Sequence, residues 1–284
     1  MTDISNRALL VSLNISQWTA RKLDKSESAN VVNRNNAAAG VARVNKDLLP
    51  MAHSLKQIQT IAGAIRNEFY RRSVPWMNDM GIIKAEGYME FAQHMADRKL
   101  EFDAAVKKFQ SEYEGLREDA PFLLGDLYDE ADYPPADQIA AKFRMDVSFY
   151  PVPSPSDCSK LSVLADVADG MARDIAAKYA AREMEAMKDV WQRLYKLVNN
   201  AHNTLTSDKG RVHDALLDNA RDLCSLLPTL NISNDPQLEA MRYELEGAIA
   251  GVDTHDLRKD EAVRSEVSAK LADIMNKMGG MYGA

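Results

Sequence analysis

The sequence predicts a mostly α-helical, elongated protein: a bundle of long helices in coiled-coil hairpins with a small two-stranded β element. One observation predicts the helices, because apolar residues recur at steps of three and four over residues 85–118 and again over 159–206. Another predicts the strands, because apolar and polar residues alternate with period two in 10–15 and 145–150.

The two long helices determine the expected shape. Residues 159–206 contain no proline, and Gly170 is their only weak point. At ~1.5 Å per residue, a helix of this length would reach about 72 Å. A compact chain of this size has a diameter of roughly 50 Å. We therefore expect an elongated molecule. The helix over 85–118 should end before Pro121, since proline disrupts helix interiors.

The remaining helices follow from the same periodicity and from prolines and glycines at their ends. Helices are predicted over 26–48, 53–72, 208–227, 236–251 and 255–278. Pro228 and Gly279 are expected to stop the third and the fifth of these helices. Pro236 suits the first turn of the fourth, where a missing N–H costs nothing.

The two alternating segments are the strand candidates. A two-stranded ribbon is marginally stable alone. We therefore expect strands 10–15 and 145–150 to pair with each other and to pack on helices.

A proline-rich break divides the chain. Five of the ten prolines lie between residues 134 and 155. The predicted N-terminal region, 1–155, is helical, contains the strand pair and ends in an acidic, proline-rich connector, 119–158. The predicted C-terminal region, 156–284, is a long-helix bundle.

Composition and charge exclude several classes of protein. The chain is 46% hydrophobic and 27% charged, with a net charge of −7. An acidic chain is not a general nucleic-acid coat, because phosphate binding relies on clustered Lys and Arg. No apolar run approaches the ~18 residues that a membrane helix needs. The N-terminus lacks the pattern of a secretory signal. We expect a cytoplasmic protein of a bacterial host cell, with no membrane partner.

The search for catalytic and ligand-binding patterns finds no strong candidate. Glu90 and His94 are four residues apart, but no second carboxylate–histidine pair matches them for a di-metal site. The acidic stretch 126–132 lacks the spacing of a calcium loop. Cys158 follows a proline-rich turn near Lys160, yet no histidine is close in sequence. We expect a non-enzymatic protein with no catalytic residue, cofactor or metal.

Aromatic residues on the second long helix suggest an interface. Trp191, Tyr195 and Leu197 widen the apolar surface of that helix beyond one narrow seam. A large uncovered apolar band usually marks a contact surface. The sequence thus predicts a homo-oligomer with these residues near the subunit or partner contact. The alternative is that N-terminal helices cover the band within one chain.

A cluster of arginines keeps nucleic-acid binding open. Arg66, Arg71 and Arg72 precede Trp76, and basic residues beside an aromatic ring can hold single-stranded nucleic acid. The alternative is structural, with Trp76 closing the end of a helical bundle.

Several strings taken together resemble a known family. These strings occupy residues 10–22, 46–50, 124–128, 132–134 and 150–153. Together they resemble an uncharacterised family from phages and bacterial mobile elements, a domain of unknown function often encoded beside a MoxR- or CobS-type AAA+ ATPase. The resemblance implies a non-catalytic role beside such an ATPase. Long amphipathic helices without a convergent polar cluster favour a structural or adaptor protein for that role, and the surface around Trp191 and Tyr195 predicts that it self-associates. The alternative that the resemblance implies is a nucleic-acid-binding accessory protein in phage DNA metabolism.

Overall fold

The computed structural model of the chain describes residues 4–207 and 212–281. The strands in this part of the chain are β1 (Ala8–Ser16), β2 (Arg21–Asp24), β3 (Val44–Asp47), β4 (Val74–Met77), β5 (Met80–Lys84) and β6 (Arg144–Pro151). The helices are α1 (Lys25–Arg34), α2 (His53–Arg72), α3 (Tyr88–Leu124), α4 (Ala136–Ile139), α5 (Ala165–Thr206), α6 (Ala215–Leu230), α7 (Pro236–Ile249), α8 (Thr254–Lys259) and α9 (Glu261–Met281). The predicted mostly α class with a small β element is confirmed. Coiled-coil packing stays a prediction.

The larger sheet has the strand order β4-β5-β1-β6. The predicted pairing of the two alternating segments is therefore confirmed, since β1 and β6 are neighbours. The β element is nevertheless four-stranded, because the β4–β5 hairpin pairs with the other edge of β1, with Leu10 opposite Ile82. Asn78 and Asp79 connect the hairpin with φ angles of 46° and 61°, the combination that a type I′ turn needs. A second sheet pairs β2 with β3.

The chain forms two compact units that interleave along the sequence. Unit 1 comprises Met1–Ser12, Tyr70–Phe91 and Ser148–Ala284. Unit 2 comprises Leu13–Phe69 and Ala92–Val147. The division at residue 155 and the elongated shape both stay predictions.

Unit 1 has a core in which helices α5, α6, α7 and α9 share buried apolar residues with strands of the larger sheet. Its fully buried members include Leu194 of α5, Leu227 of α6, Leu245 of α7 and Ile82 of β5. The periodic apolar positions of the second half of α5 thus face helices on several sides, which explains why this half of the helix is so rich in large apolar residues.

Unit 2 has its own core between α2 and α3. Ile58 and Ile65 of α2 and Phe102, Phe109 and Tyr113 of α3 are all fully buried there. Steps of seven and four put these side chains on one face of each helix, as the apolar pattern predicts.

Three predicted helix ends are wrong. Helix α3 continues through Pro121 to Leu124, and α6 continues through Pro228 to Leu230. In both, proline removes a hydrogen bond only within the last turn, where little helix remains to be disrupted. Helix α9 passes Gly279. The beginning of the predicted helix 208–227 lies at 208–211, outside the described residues.

Two predicted helices have different extents. The helix predicted over 26–48 is confined to α1, and β3 follows, because Asn36 and Gly40 turn the chain with φ angles of 51° and 87°. The helix predicted over 255–278 is two helices, α8 and α9. Asp260 separates them, and its carboxylate accepts the N–H of Ala262 at 2.9 Å as an N-cap. In contrast, α2 matches its predicted bounds. The helix predicted over 159–206 begins only at Ala165, because a short 3-10 helix over Pro155–Lys160 precedes it, but it passes Gly170 without a break.

Candidate functional site

A groove of about 930 Å³ opens in unit 1 between the β4–β5 hairpin and α5. Its hairpin wall includes Pro75, Met77 and Met80, and its helix wall includes Met184 and Glu185. This volume lies in the range of ordinary ligand-binding clefts.

Arginine side chains fix α5 against the chain segment that begins the hairpin. The guanidinium of Arg182 donates to the carbonyl oxygen of Trp76 at 3.0 Å. That of Arg193 donates to the carbonyl oxygen of Arg71 at 3.2 Å, in the last turn of α2, where carbonyl groups lack the next helical N–H. Because these bonds hold both walls, the groove is a feature of the folded unit.

The apolar part of the groove is unusually accessible. The side chain of Met184 is 72% exposed and that of Tyr70 is 52% exposed. Met77 and Met80 are half-buried against the unit 1 core. Trp76 is buried, and its indole N–H has no acceptor among the described residues. Methionines are flexible and polarisable, so they adapt to differently shaped apolar partners.

The polar part of the groove carries more negative than positive charge. Asp79, Glu185 and Asp189 line it together with one cation, Lys188. Asp189 pairs with Arg193 at 2.7 Å. Across the described ranges, Asp79, Glu185 and Lys188 take part in no ion pair. The groove therefore offers an apolar base with a weakly acidic rim, a lining that suits non-covalent binding of a partner.

The three residues predicted to form an interface differ in how far they are buried. Trp191 is 3% exposed in the unit 1 core, and its indole N–H donates to the Asp235 carboxylate at 3.0 Å. Leu197 is half-buried against the same core, whereas Tyr195 is 42% exposed. The expected apolar band is thus mostly covered within the unit. The homo-oligomer stays a prediction. Of the three residues, Tyr195 is the one exposed enough to contact another subunit.

The three arginines predicted to contact nucleic acid all bind protein groups. In unit 2, Arg66 donates to the carbonyl oxygen of Ile15 at 3.1 Å. In unit 1, Arg71 forms an ion pair with Asp222, and Arg72 forms one with Glu90 at 3.2 Å. A phosphate would have to compete with these contacts. Nucleic-acid binding stays a prediction.

Four of the five strings that carry the family resemblance meet in unit 2. The carboxylate of Asp132 lies between the ammonium groups of Lys22 and Lys46, with 2.7 Å to the latter. Burial alone would raise the pKa of Asp132, but hydrogen bonds from both lysines outweigh it and hold that pKa below its ordinary value. The same bond to Asp132 raises the pKa of Lys22. Lys46 also donates to the carbonyl oxygen of Leu127 at 2.7 Å.

Two tyrosines complete this cluster. The hydroxyl of Tyr133 donates to Leu48 O at 2.9 Å, and that of Tyr113 donates to Pro134 O at 2.8 Å. Burial raises the pKa of each tyrosine to about 12, so both remain protonated donors. The ring of Trp18 packs edge-on against Tyr113. Residues from four of the five strings thus hold the acidic stretch 126–132 against the rest of unit 2. This is a structural role.

A second exposed apolar surface lies at the end of α3 in unit 2. Phe122 is 90% exposed, Leu123 is 51% exposed and Leu127 is 41% exposed. Residues 118–132 around it contain six acidic and no basic side chains. Exposed aromatic residues of this kind are typical of contact surfaces.

Two of the histidines lie near a carboxylate, and both cysteines are buried. The imidazole of His94 lies 3.5 Å from the carboxylate of Glu68. Asp253, His255 and Asp256 place possible ligand atoms within 4.8 Å of one another, but the carboxylate of Asp253 caps α8. Burial raises the pKa of the Cys224 thiol to about 11.

Comparison of the chain with protein-family models, curated proteins and solved structures finds no match. None of the helices in the described part of the chain is long and apolar enough to span a membrane.

Proposed function

We propose that this chain is a non-enzymatic adaptor that holds a partner protein in the groove of unit 1. The observation that carries the proposal is the exposure of Met184 and Tyr70 beside Met77 and Met80. Burying the exposed side chain of Met184 under a partner would contribute up to about 1.5–3 kcal/mol, and the partly exposed Tyr70, Met77 and Met80 would each contribute less. The acidic apolar surface around Phe122 supports the same role, because an adaptor needs more than one contact surface.

The finer parts of the proposal come from the sequence. The family resemblance supports a phage or mobile-element origin and an AAA+ ATPase as the partner, and the exposed aromatic ring of Tyr195 on α5 supports self-association. Nucleic-acid binding is the alternative, and it has less support because Arg66, Arg71 and Arg72 already bind protein groups.

Site-specific photocrosslinking tests the proposal. Benzoylphenylalanine would replace Met184 in the groove or, as a control, Met89 of the same unit, which is 74% exposed and outside the groove. In cells that carry the gene in its native neighbourhood, we expect a discrete crosslinked species from position 184 and none from position 89. Mass spectrometry of that species distinguishes an ATPase from a second copy of the chain. Equal crosslinking from both positions, or none from position 184, would reject docking in the groove.

A further inference from the structure

The edge strand of the groove limits what shape of partner it can hold. β4 lies at the end of the sheet, where an added strand would need free backbone groups. Pro75 has no N–H, and the carbonyl oxygen of Trp76 already accepts a bond from Arg182. An extended peptide would therefore find no continuous row of donors and acceptors along β4, whereas a helix needs none because its own backbone is satisfied.

The surface of α5 has the spacing that a second helix requires. Exposed positions follow one another at alternating steps of three and four along this face, as in a helix–helix seam. These positions are 164, 167, 171, 174, 178, 181, 185, 188 and 192. The groove accompanies the last four, which span about 16 Å, or three helical turns. Leu164, Val167 and Met171 continue the face with apolar, exposed side chains.

The charge of the groove favours one sign of partner. Asp79 and Glu185 have no ion pair among the described residues, against Lys188 as the one cation of the lining, while the charge of Asp189 is offset by its pair with Arg193. Opposite charge on the partner would be attracted, and like charge would be repelled at close range.

We propose that the occupant of the groove is a basic amphipathic helix, with apolar residues against the methionines and Lys or Arg facing Asp79 and Glu185. This inference rests on the proposed function, since it names the class of partner for the same groove. The occupant belongs to another protein and lies along the outer face of α5.

The test uses three labelled synthetic peptides of about 18 residues and the full chain. The first is an amphipathic helix of leucine and lysine, the second replaces every lysine by glutamate, and the third places prolines in the centre of the first. Fluorescence anisotropy measures their affinities. We expect the leucine–lysine helix to bind at least about tenfold more tightly than either of the others.

Variants of the chain separate groove binding from general attraction to an acidic protein. Glu185→Gln and Met184→Ser should each weaken the leucine–lysine helix at least about fivefold, while Met89→Ser, at a matched exposed methionine, leaves its affinity unchanged. Circular dichroism checks that each variant is folded. Equal binding to all variants, or equal binding of the glutamate or proline peptide, overturns the inference.

The two proposals fail in different ways. Crosslinks from position 184 without selectivity for the leucine–lysine helix would support the adaptor proposal and reject a basic helix as the occupant of the groove. Selective binding of this peptide without crosslinks in cells would support the chemistry of the groove and reject the adaptor role.

Discussion

Replacing Trp191 by alanine distinguishes core from interface on α5. The side chain is 3% exposed, and its indole N–H bonds to Asp235, whose other oxygen caps α7 through the N–H of Gln237 at 2.9 Å. Truncating a buried tryptophan costs about 3–5 kcal/mol of unfolding free energy. Trp191→Phe keeps most of the apolar burial but loses the bond to a charged acceptor, about 1.5–3 kcal/mol, and adds a smaller loss from the cavity that the shorter ring system leaves.

Urea denaturation followed by circular dichroism measures these losses, and light scattering at ~10 μM measures the mass. Tyr195→Ala is the control on the same helix, and at 42% exposure it should change the unfolding free energy by less than about 1 kcal/mol. We expect Trp191→Ala to lower the unfolding free energy without changing the oligomeric state of the folded fraction. A variant that keeps wild-type stability but dissociates an oligomer would refute the assignment of Trp191 to the core.

Three further changes test other parts of the structure. Asp132→Asn should lower the unfolding free energy by about 2 kcal/mol at neutral pH, against less than about 0.5 kcal/mol for the exposed control Asp126→Asn. Because the pKa of Asp132 in the folded protein lies below 3.8, its contribution to stability is present above that pH and disappears as the pH falls through the lower folded value. Acid titration of the variant should therefore show a shallower loss of unfolding free energy than that of the wild type. Gly81→Ala would place a methyl group 2.5 Å from the Ser73 hydroxyl and should destabilise unit 1 by about 1–3 kcal/mol. Gly170→Ala has open space around it and should stabilise α5 by about 0.5–1 kcal/mol, so thermal melts in which Gly81→Ala is the more stable variant would contradict the packing. Cys224, 2% exposed and with its pKa raised to about 11, should resist thiol reagents until urea unfolds the chain, and rapid labelling of the native protein would disprove its burial.

The sequence predicted the elements whose signal is long and local. Helix α2 was within reach because its apolar periodicity extends along the whole helix. The pairing of β1 with β6 was within reach because these were the two strand candidates and a strand needs a partner. The β4–β5 hairpin was missed, although Asn78-Asp79 between two apolar runs is a turn signal. Pro75 and the shortness of both strands hid it, since proline is unusual in strands except at an edge, and β4 is an edge.

The groove could not be predicted because it depends on contacts distant in sequence. Arg182 lies 106 residues from the carbonyl of Trp76 that it holds, and nothing local to either residue indicates their contact.

The burial of Trp191 could not be predicted either, although its helix could. Its place on a helix was clear from periodicity, but whether that side of the helix is covered depends on α7, through Asp235. The charges around Asp132 were visible as an acidic run, whereas the lysines that bind them come from two other segments.

The order of the segments dictates when each unit can be completed during translation. Unit 2 has its last residue at Val147, whereas unit 1 still requires the stretch that begins at Ser148 and contains α5. At typical elongation rates that stretch takes on the order of ten seconds to synthesise. In that interval the nascent chain carries β5, with Ile82 and its apolar neighbours, before the helices that bury it exist. Ribosome-bound chains of this length are therefore the form in which a chaperone would find the most to bind.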